Sequence, residues 1–186
     1  MPQSCVLGPG RRKSIFFHSI GCGLVRHLLL VSDMLTKQII RAASGWLELG
    51  MPADALNEIR SLPKEHAEDK TVLELRLAAE MALQDWKQAA ETAKLLCMEA
   101  VDEPDFFLSA AFCLHELGET EEARKWLLRG PDVLSEMAVF HYNMACYLWT
   151  LGEKERAHNH LAKAFEMDES FKESARFDKD LVGIEW

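Results

Sequence analysis

The sequence predicts an all-α fold, an α-solenoid of about four helix-turn-helix repeats. Three observations support this prediction. Alanine recurs at intervals of 34 residues, at Ala55, Ala89, Ala123 and Ala157. Glycine recurs in the same frame, at Gly50, Gly118 and Gly152. Between these positions the chain is rich in the helix-favouring residues Ala, Leu, Glu and Lys, and it has only six prolines and ten glycines in all.

The first 33 residues differ from the rest of the chain. They contain the basic run Arg11-Arg12-Lys13, which is typical of a secretory signal peptide. The apolar stretch that follows is only three residues long, because His18 ends it. A signal peptide needs about 7 to 15 apolar residues and a membrane span about 20. We therefore expect residues 1–33 to be a disordered extension, with the helical pattern starting at Met34. A weak export or lipidation signal ending at Cys22 is the alternative.

The charge distribution favours protein partners over nucleic acid. The chain carries 21 basic and 30 acidic residues, a net charge of −9. Residues 34–186 hold 17 of the basic and 29 of the acidic residues, which is a net charge of −12. An acidic surface without a basic stripe repels phosphate backbones. We therefore expect a protein or peptide partner, and neither nucleic acid nor a membrane.

The repeats are divided as 36–69, 70–103, 104–137 and 138–171. Small residues let the two helices of a repeat approach closely, so Ala43 and Ala111 are expected to face Ala55 and Ala123 respectively. Glycine at the turn supplies the left-handed conformation that ends a first helix. Pro52 lies where the second helix begins and its missing N–H costs least. Larger apolar residues then follow at helical spacing, at Ile59, Leu127 and Leu161.

Two repeats depart from this pattern. Repeat 70–103 has Gln84-Asp85 in place of the turn glycine, from which we predict a turn one residue shorter, with Ala78 instead of Leu77 in the small-residue column. Repeat 104–137 contains Gly130-Pro131, and we predict that its second helix ends there, about one turn early.

The chain after the last repeat is predicted to form a cap over residues 172–186. An array of repeats needs one because its last repeat would otherwise expose an apolar face. Ser170 and Glu173 have the spacing of a capping box at the start of a helix. A solvated acidic terminus is the alternative. The residues expected to cover the last repeat are Phe171, Ala175, Leu181, Ile184 and Trp186.

The last repeat and the residues after it are the most specific part of the sequence. They contain Tyr142-Asn143-Met144-Ala145-Cys146-Tyr147, Leu151-Gly152, Ala157, Leu161 and Ala164, and then Asp178-x-Asp180-Leu181. On these residues the chain resembles the tetratricopeptide repeat (TPR) family, and more narrowly the bacterial proteins of this family with an end-of-group form of last repeat and tail. The resemblance covers most of residues 36–186. It implies a right-handed superhelix and a protein-binding role, without naming a partner.

The resemblance also implies where a partner would bind. In TPR proteins the first helix of each repeat lines a concave groove, and fixed positions of those helices contact the bound peptide. Aromatic residues there would anchor partner side chains, and arginines would pair with carboxylates. The alternative is that the aromatic residues pack against each other or beneath the C-terminal tail. With the one-residue shift in the second repeat, the candidate groove residues are Arg41, Arg76, Phe112, His115, Tyr142, Asn143 and Trp149.

No residue pattern predicts catalysis, a metal site or a cofactor. The sequence contains no Gly-rich phosphate loop and no H-E-x-x-H or G-x-S-x-G motif. His158-x-His160 is a poor metal site because helix residues two apart point in different directions. His141 is expected to be a packed core residue. The cysteines in the repeats, Cys97, Cys113 and Cys146, are expected to be buried free thiols in a reducing compartment.

These patterns favour a non-enzymatic scaffold or adaptor of the bacterial cytoplasm, which holds an extended or helical segment of another protein in its groove. Two alternatives stay open at this stage. One is a small acidic secretion chaperone of the TPR type, which keeps an exported client unfolded. The other is a non-catalytic regulatory subunit of a larger complex.

Overall fold

The computed structural model describes residues 34–186, and in that range the chain forms helices and turns without any strand. The predictions for residues 1–33 lie outside the described residues. The eight longer helices follow one another in pairs, and a ninth, short helix lies near the C-terminus. They are α1 (34–48), α2 (Pro52–Arg60), α3 (Lys70–Ala82), α4 (Trp86–Glu99), α5 (Pro104–Glu116), α6 (Thr120–Leu127), α7 (Ala138–Thr150), α8 (Lys154–Met167) and α9 (Phe171–Phe177).

Each helix packs chiefly on the helices before and after it in the sequence, from α2 on α3 through to α7 on α8. This sequential packing confirms the all-α prediction. The helix starts also keep the predicted spacing, since α3, α5 and α7 begin at residues 70, 104 and 138. Short 3₁₀ helices lie in the longer links, at Lys64–His66, Asp132–Glu136 and Lys179–Leu181.

The predicted small-residue columns are buried. Ala43 and Ala55 are fully inaccessible to solvent, as are Ala111 with Ala123 and Ala145 with Ala157 in the later pairs. Alanine leaves room for two helix backbones to approach, which a larger side chain at the same place would prevent. The larger apolar residues predicted to follow, Ile59, Leu127 and Leu161, are buried as well.

The turn after α3 is as long as the other turns, so the predicted one-residue shortening is wrong. Gln84 takes the place of the glycine with a φ of +57°, against +71°, +80° and +82° at Gly50, Gly118 and Gly152. Its hydrogen bonds are also equivalent, because Asp85 N–H donates to Glu80 O at 2.9 Å just as Glu119 N–H donates to Leu114 O at 2.9 Å. The fixed helix register therefore imposes a left-handed conformation on a residue that seldom adopts it.

This register changes the assignment of residues on α3. Leu77 occupies the column of Ala43, Ala111 and Ala145 and is buried, whereas Ala78 is exposed. The shift that placed Arg76 in the groove is therefore absent. Arg76 lies one position out of register with the groove residues of the other first helices.

The second helix of the third pair ends early, as predicted. Helix α6 stops at Leu127, whereas α4 and α8 each have 14 residues. The chain then turns at Gly130 and forms the 3₁₀ helix, which buries Leu134. A Cβ atom at Gly130 would lie 2.2 Å from Leu134 Cδ1 and 3.1 Å from Phe107 Cγ. Close packing of this link on α5 thus explains the glycine.

Buried apolar residues form clusters of unequal size in the described part of the chain. A small cluster joins α1, α2 and part of α3 around Ala43, Ala55 and Ile59. A much larger cluster runs from α3 to the C-terminal residues and includes Leu148, Leu161 and Leu181. The C-terminal half therefore contains most of the hydrophobic core.

Candidate functional site

The C-terminal segment (residues 178–186) lies against α7 and reaches α5. Helix α9 ends at Phe177, and the chain then forms the 3₁₀ helix Lys179–Leu181, which packs on α7. Leu181 and Ile184 are buried, as is Ala175 in α9, while the Trp186 ring packs edge-on against Phe165. These residues were predicted to cap the array, and they pack on the last helices.

The predicted capping box at the start of α9 is wrong. The Ser170 side chain makes no capping hydrogen bond. The backbone N–H of Ser170 instead donates to Asp168 Oδ1 at 2.9 Å, and the Glu173 carboxylate pairs with Arg176. An aspartate two residues upstream thus makes the local turn that the box was expected to make.

Three side chains from one face of α7 contact the C-terminal segment. Tyr142 Oη–H donates to Asp178 Oδ2 at 2.6 Å, and Cys146 Sγ lies 3.8 Å from the same oxygen. Trp149 Nε1–H donates to the backbone oxygen of Val182 at 3.2 Å. These α7 residues are spaced by four and three positions, so they lie along one face of the helix.

Helix α5 supplies the other contacts. His115 Nε2 lies 3.1 Å from Asp180 Oδ2, and its Nδ1 lies 3.0 Å from Thr120 Oγ1. Lys179 Nζ lies 3.0 and 2.9 Å from the two carboxylate oxygens of Glu116. We call the contacting residues of α5 and α7 the tail site: His115, Glu116, Tyr142, Cys146 and Trp149.

The tail site offers neutral hydrogen-bond donors to carboxylates. Burial, and then the hydrogen bond to Asp178, raise the pKa of Tyr142 far above its ordinary value. Burial and the nearby Asp178 carboxylate likewise raise the pKa of Cys146. Both groups therefore keep their protons over the physiological pH range. They can donate hydrogen bonds, but they are unsuited to act as nucleophiles or bases.

The structure brings three of the predicted groove residues together. His115, Tyr142 and Trp149 lie around the C-terminal segment. This arrangement matches the alternative given above, in which the aromatic residues pack beneath the C-terminal tail. Asn143 is half-buried beside them on α7. Phe112 precedes Glu116 by one helical turn, packs edge-on against Trp86 at a ring distance of 5.6 Å, and keeps 37% of its surface exposed.

The two predicted arginines lie elsewhere. Arg41 is exposed on α1, on the edge of an open cavity of about 530 Å³. Among the described residues, the lining of this cavity consists of Lys37, Ile40, Arg41, Ser44, Gly45 and Glu48 of α1.

Arg76 belongs to an internal polar network between α3 and α4. Its Nε lies 2.7 Å from Glu80 Oε1, and the second oxygen of this buried carboxylate accepts from Thr92 Oγ1 at 2.7 Å. A buried carboxylate requires such partners, because leaving it unpaired would cost several kcal/mol. The Arg76 guanidinium also faces α2 across a cavity of about 600 Å³. Its position therefore fits an internal ion pair.

Sequence reasoning missed the acidic residues of the C-terminal segment that the tail site binds. Asp178 and Asp180 entered only as part of the family resemblance, and no local pattern connects them with Tyr142 or His115, which lie 36 and 65 positions away. The two acids and Leu181 form a short motif after the last repeat. This motif was the sequence signal that could have pointed to these contacts.

The histidines also have structural roles. His141 is buried, its Nδ1 lies 2.9 Å from His160 Nδ1, and its Nε2 lies 3.1 Å from Ser135 O. His158 instead packs edge-on against Trp149, near the other end of α7. His158 and His160 therefore point to different places, as their spacing predicts. Burial, followed by the nearby His141, lowers the pKa of His160 to about 4.

The cysteines of the repeats are free and buried, as predicted. Burial raises the pKa of Cys97 to about 12 and that of Cys113 to about 11. A thiol with so high a pKa holds almost no thiolate at neutral pH and behaves as a small apolar group.

Comparison of the chain with protein-family models and with curated protein sequences finds no match. Within residues 34–186, no helix combines the length and the apolar composition that crossing a bilayer would need.

Proposed function

We propose that the chain is a protein-interaction scaffold, built from four repeats of the TPR type in a right-handed superhelix. It holds an extended segment of a partner protein against the face that its first helices (α1, α3, α5 and α7) share. The buried free thiols favour a reducing compartment, and we place this activity in the bacterial cytoplasm. The role is that of an adaptor and not of an enzyme.

One observation carries this proposal: the tail site already holds a peptide segment, which is the chain's own C-terminal segment, folded there as the 3₁₀ helix Lys179–Leu181 and a turn. Side chains of α5 and α7 bind its carboxylates and a backbone oxygen, at distances of 2.6 to 3.2 Å for Tyr142, His115 and Trp149. Aromatic and histidine side chains that point outward from adjacent helices suit peptide recognition. A surface that binds the carboxylates and a backbone oxygen of one peptide segment has the chemistry to bind another.

The same face offers further room towards α1. Phe112 lies one turn along α5 from Glu116 and is 37% exposed, so its ring is accessible to a partner side chain. On α1, Ile40 and Ser44 line the open cavity at the positions that correspond to Tyr142 and Cys146 in the 34-residue frame. A partner segment would therefore extend from the α1 cavity past Phe112 to the edge of the tail site.

A selection from a displayed library of random peptides tests this proposal. The full chain is immobilised, and peptides that bind it are selected and their affinities for two variants are compared. We expect Phe112→Ala to weaken the selected peptides about tenfold or more. The matched control is Met98→Ala, which shortens an exposed apolar side chain on the second helix α4. Selected peptides that bind both variants equally, or a failure to select any, would count against the groove.

A further inference from the structure

We propose that the C-terminal segment is a displaceable internal occupant of the tail site. The partner segment that replaces it carries the same alternation, an acidic, a basic, an acidic and an aliphatic residue in succession. This inference rests on the proposed function, because it names the chemistry of the partner and the regulation of the same groove.

The hydrogen-bond donors of the tail site demand acceptors in this arrangement. Tyr142 Oη binds the carboxylate of Asp178 and His115 Nε2 lies against that of Asp180, so two acids two residues apart reach both helices at once. Tyr142 and His115 are buried, and a buried donor left without an acceptor is costly. A replacement segment must therefore supply acceptors at the same two places.

The residues between and after the two acids complete the pattern. Lys179 Nζ pairs with both oxygens of Glu116, which accounts for a basic residue between the acids. Leu181 is buried and Val182 is 74% exposed, so the residue directly after the second acid must be aliphatic and the next one is unrestricted. The chain's net charge of −9 opposes an acidic segment at long range, so the preference comes from these short-range contacts.

The segment is held chiefly by side-chain contacts and by the burial of Leu181 and Ile184, so a partner segment that supplies the same groups can replace it. Between residues 178 and 186 the backbone hydrogen bonds are local, from Leu181 N–H to Asp178 O and from Ile184 N–H to Leu181 O. Trp149 Nε1–H donates to a backbone oxygen of this segment, that of Val182. The contacts of Tyr142 and His115 with the segment are to its side chains. Its attachment gives it an effective concentration of the order of millimolar, which a partner must overcome.

The test uses the full chain and a fluorescent peptide with the sequence of residues 178–186. Binding of this peptide is followed by fluorescence anisotropy. In the variant D178N/D180N the internal segment keeps its shape but loses both carboxylates, so the tail site becomes available more often. We expect this variant to bind the peptide about tenfold more tightly than the unaltered chain does.

Two controls separate this effect from charge and from folding. The variant E155Q/E185Q removes two exposed carboxylates, one on α8 and one within the segment, and should bind the peptide within about twofold of the unaltered chain. A peptide with asparagine at both aspartate positions should bind D178N/D180N about tenfold more weakly than the original peptide. Adding Tyr142→Phe to D178N/D180N should weaken binding of the original peptide, which places it at the tail site.

Circular dichroism first checks that D178N/D180N is folded like the unaltered chain. If the two then bind the peptide with equal affinity, or if neither binds it, the proposal is overturned. A dimer that D178N/D180N abolishes would also overturn it, because the segment would then exchange between two copies. These results differ from a failure of the proposed function. If selected peptides depend on Phe112 but lack the acidic pattern, the groove survives without the exchange. If the tail peptide exchanges but no library peptide depends on Phe112, the exchange survives and the groove does not.

Discussion

The first and the last helix pair of residues 34–186 have the same backbone plan and different surroundings. Ile40 and Ser44 on α1 correspond by position to Tyr142 and Cys146 on α7. The α1 residues line an open cavity, whereas the α7 residues are buried beneath the C-terminal segment. The repeat therefore sets where these side chains lie, and the C-terminal segment buries those of the last pair.

The two pairs also differ in how much core they contribute. Eight of the 13 residues of α7 are buried, and they belong to or line the large cluster. Helix α1 buries Thr36, Ile39 and Ala43 and contributes to the small one. A repeat contacts only its neighbours, so the pair that buries fewer apolar residues against them gains less stabilisation. The first pair should accordingly be the less stable part of the described chain.

The largest effect is expected for a core substitution that tests this difference directly. Leu161 on α8 and Ile59 on α2 occupy the same repeat position and are both buried. We expect Leu161→Ala to lower the free energy of unfolding by about 3 to 4 kcal/mol and Ile59→Ala by about 2, because the larger cluster loses more contacts. Urea unfolding followed by circular dichroism measures both. Equal losses would mean that the two ends are equally well packed.

The next effect concerns the cover over the last pair. Leu181 is 2% exposed, and its neighbour Val182 is 74% exposed. We expect Leu181→Ala to cost about 2 kcal/mol and Val182→Ala less than about 0.5, since only the first removes buried apolar surface. Thermal unfolding of the two variants beside the unaltered chain gives the comparison. If both substitutions are neutral, the segment does not stabilise the last pair.

A smaller effect is expected from pH, and it should be confined to the last pair. The folded pKa of His160 is lowered from 6.5 to about 4, so the unfolded chain binds more protons between these values. The stabilisation is complete above pH 6.5 and is lost as the pH falls towards 4. Allowing for the partial exposure of this ring, we expect a loss of about 1 to 2 kcal/mol.

Hydrogen exchange with mass spectrometry can locate this loss. Peptides from α7 and α8 should exchange faster at pH 5 than at pH 7, after correction for the intrinsic rate, by about tenfold. Peptides from α1 and α2, a stretch that contains no histidine, should change less. His160→Gln should flatten the pH dependence at α7 and α8, and an unchanged profile in that variant would exclude His160 as its origin.

The smallest effect is expected at the turns, where the second pair can be compared with the third. Gln84 adopts a φ of +57° at the place where Gly118 has +80°. We expect Gln84→Gly to stabilise the chain by about 0.5 to 1 kcal/mol and Gly118→Ala to destabilise it by about 1, because only glycine enters this region without a steric cost. Urea midpoints of both variants report the effect. A destabilised Gln84→Gly would mean that the glutamine side chain contributes more than its backbone strain costs.

Much of the fold followed from the sequence because the decisive contacts are short in range and repeated. The alanine columns gave the helix spacing, and Gly130-Pro131 marked the early end of α6. The shortened turn after α3 was wrong for a specific reason. A missing glycine was taken as a missing residue, whereas the packing of α3 against α4 holds Gln84 in the left-handed region.

The candidate site was predictable only on its helical side. His115, Tyr142 and Trp149 were identified because the family resemblance implies groove positions on the first helices, and the repeat frame assigns those positions to these residues. Arg76 was included through the incorrect shift, and its carboxylate partner Glu80 was not anticipated, because a buried ion pair has no sequence pattern of its own.

The sequence alone determined the helices, their pairing and the 34-residue interval, since each depends on neighbours within one or two repeats. The tertiary structure decided what covers the aromatic face of α5 and α7. Lys179 meets Glu116 across 63 positions, and Asp178 meets Tyr142 across 36. Contacts at such separations depend on how the final turn directs the chain back over the helices, and no periodic pattern records that direction.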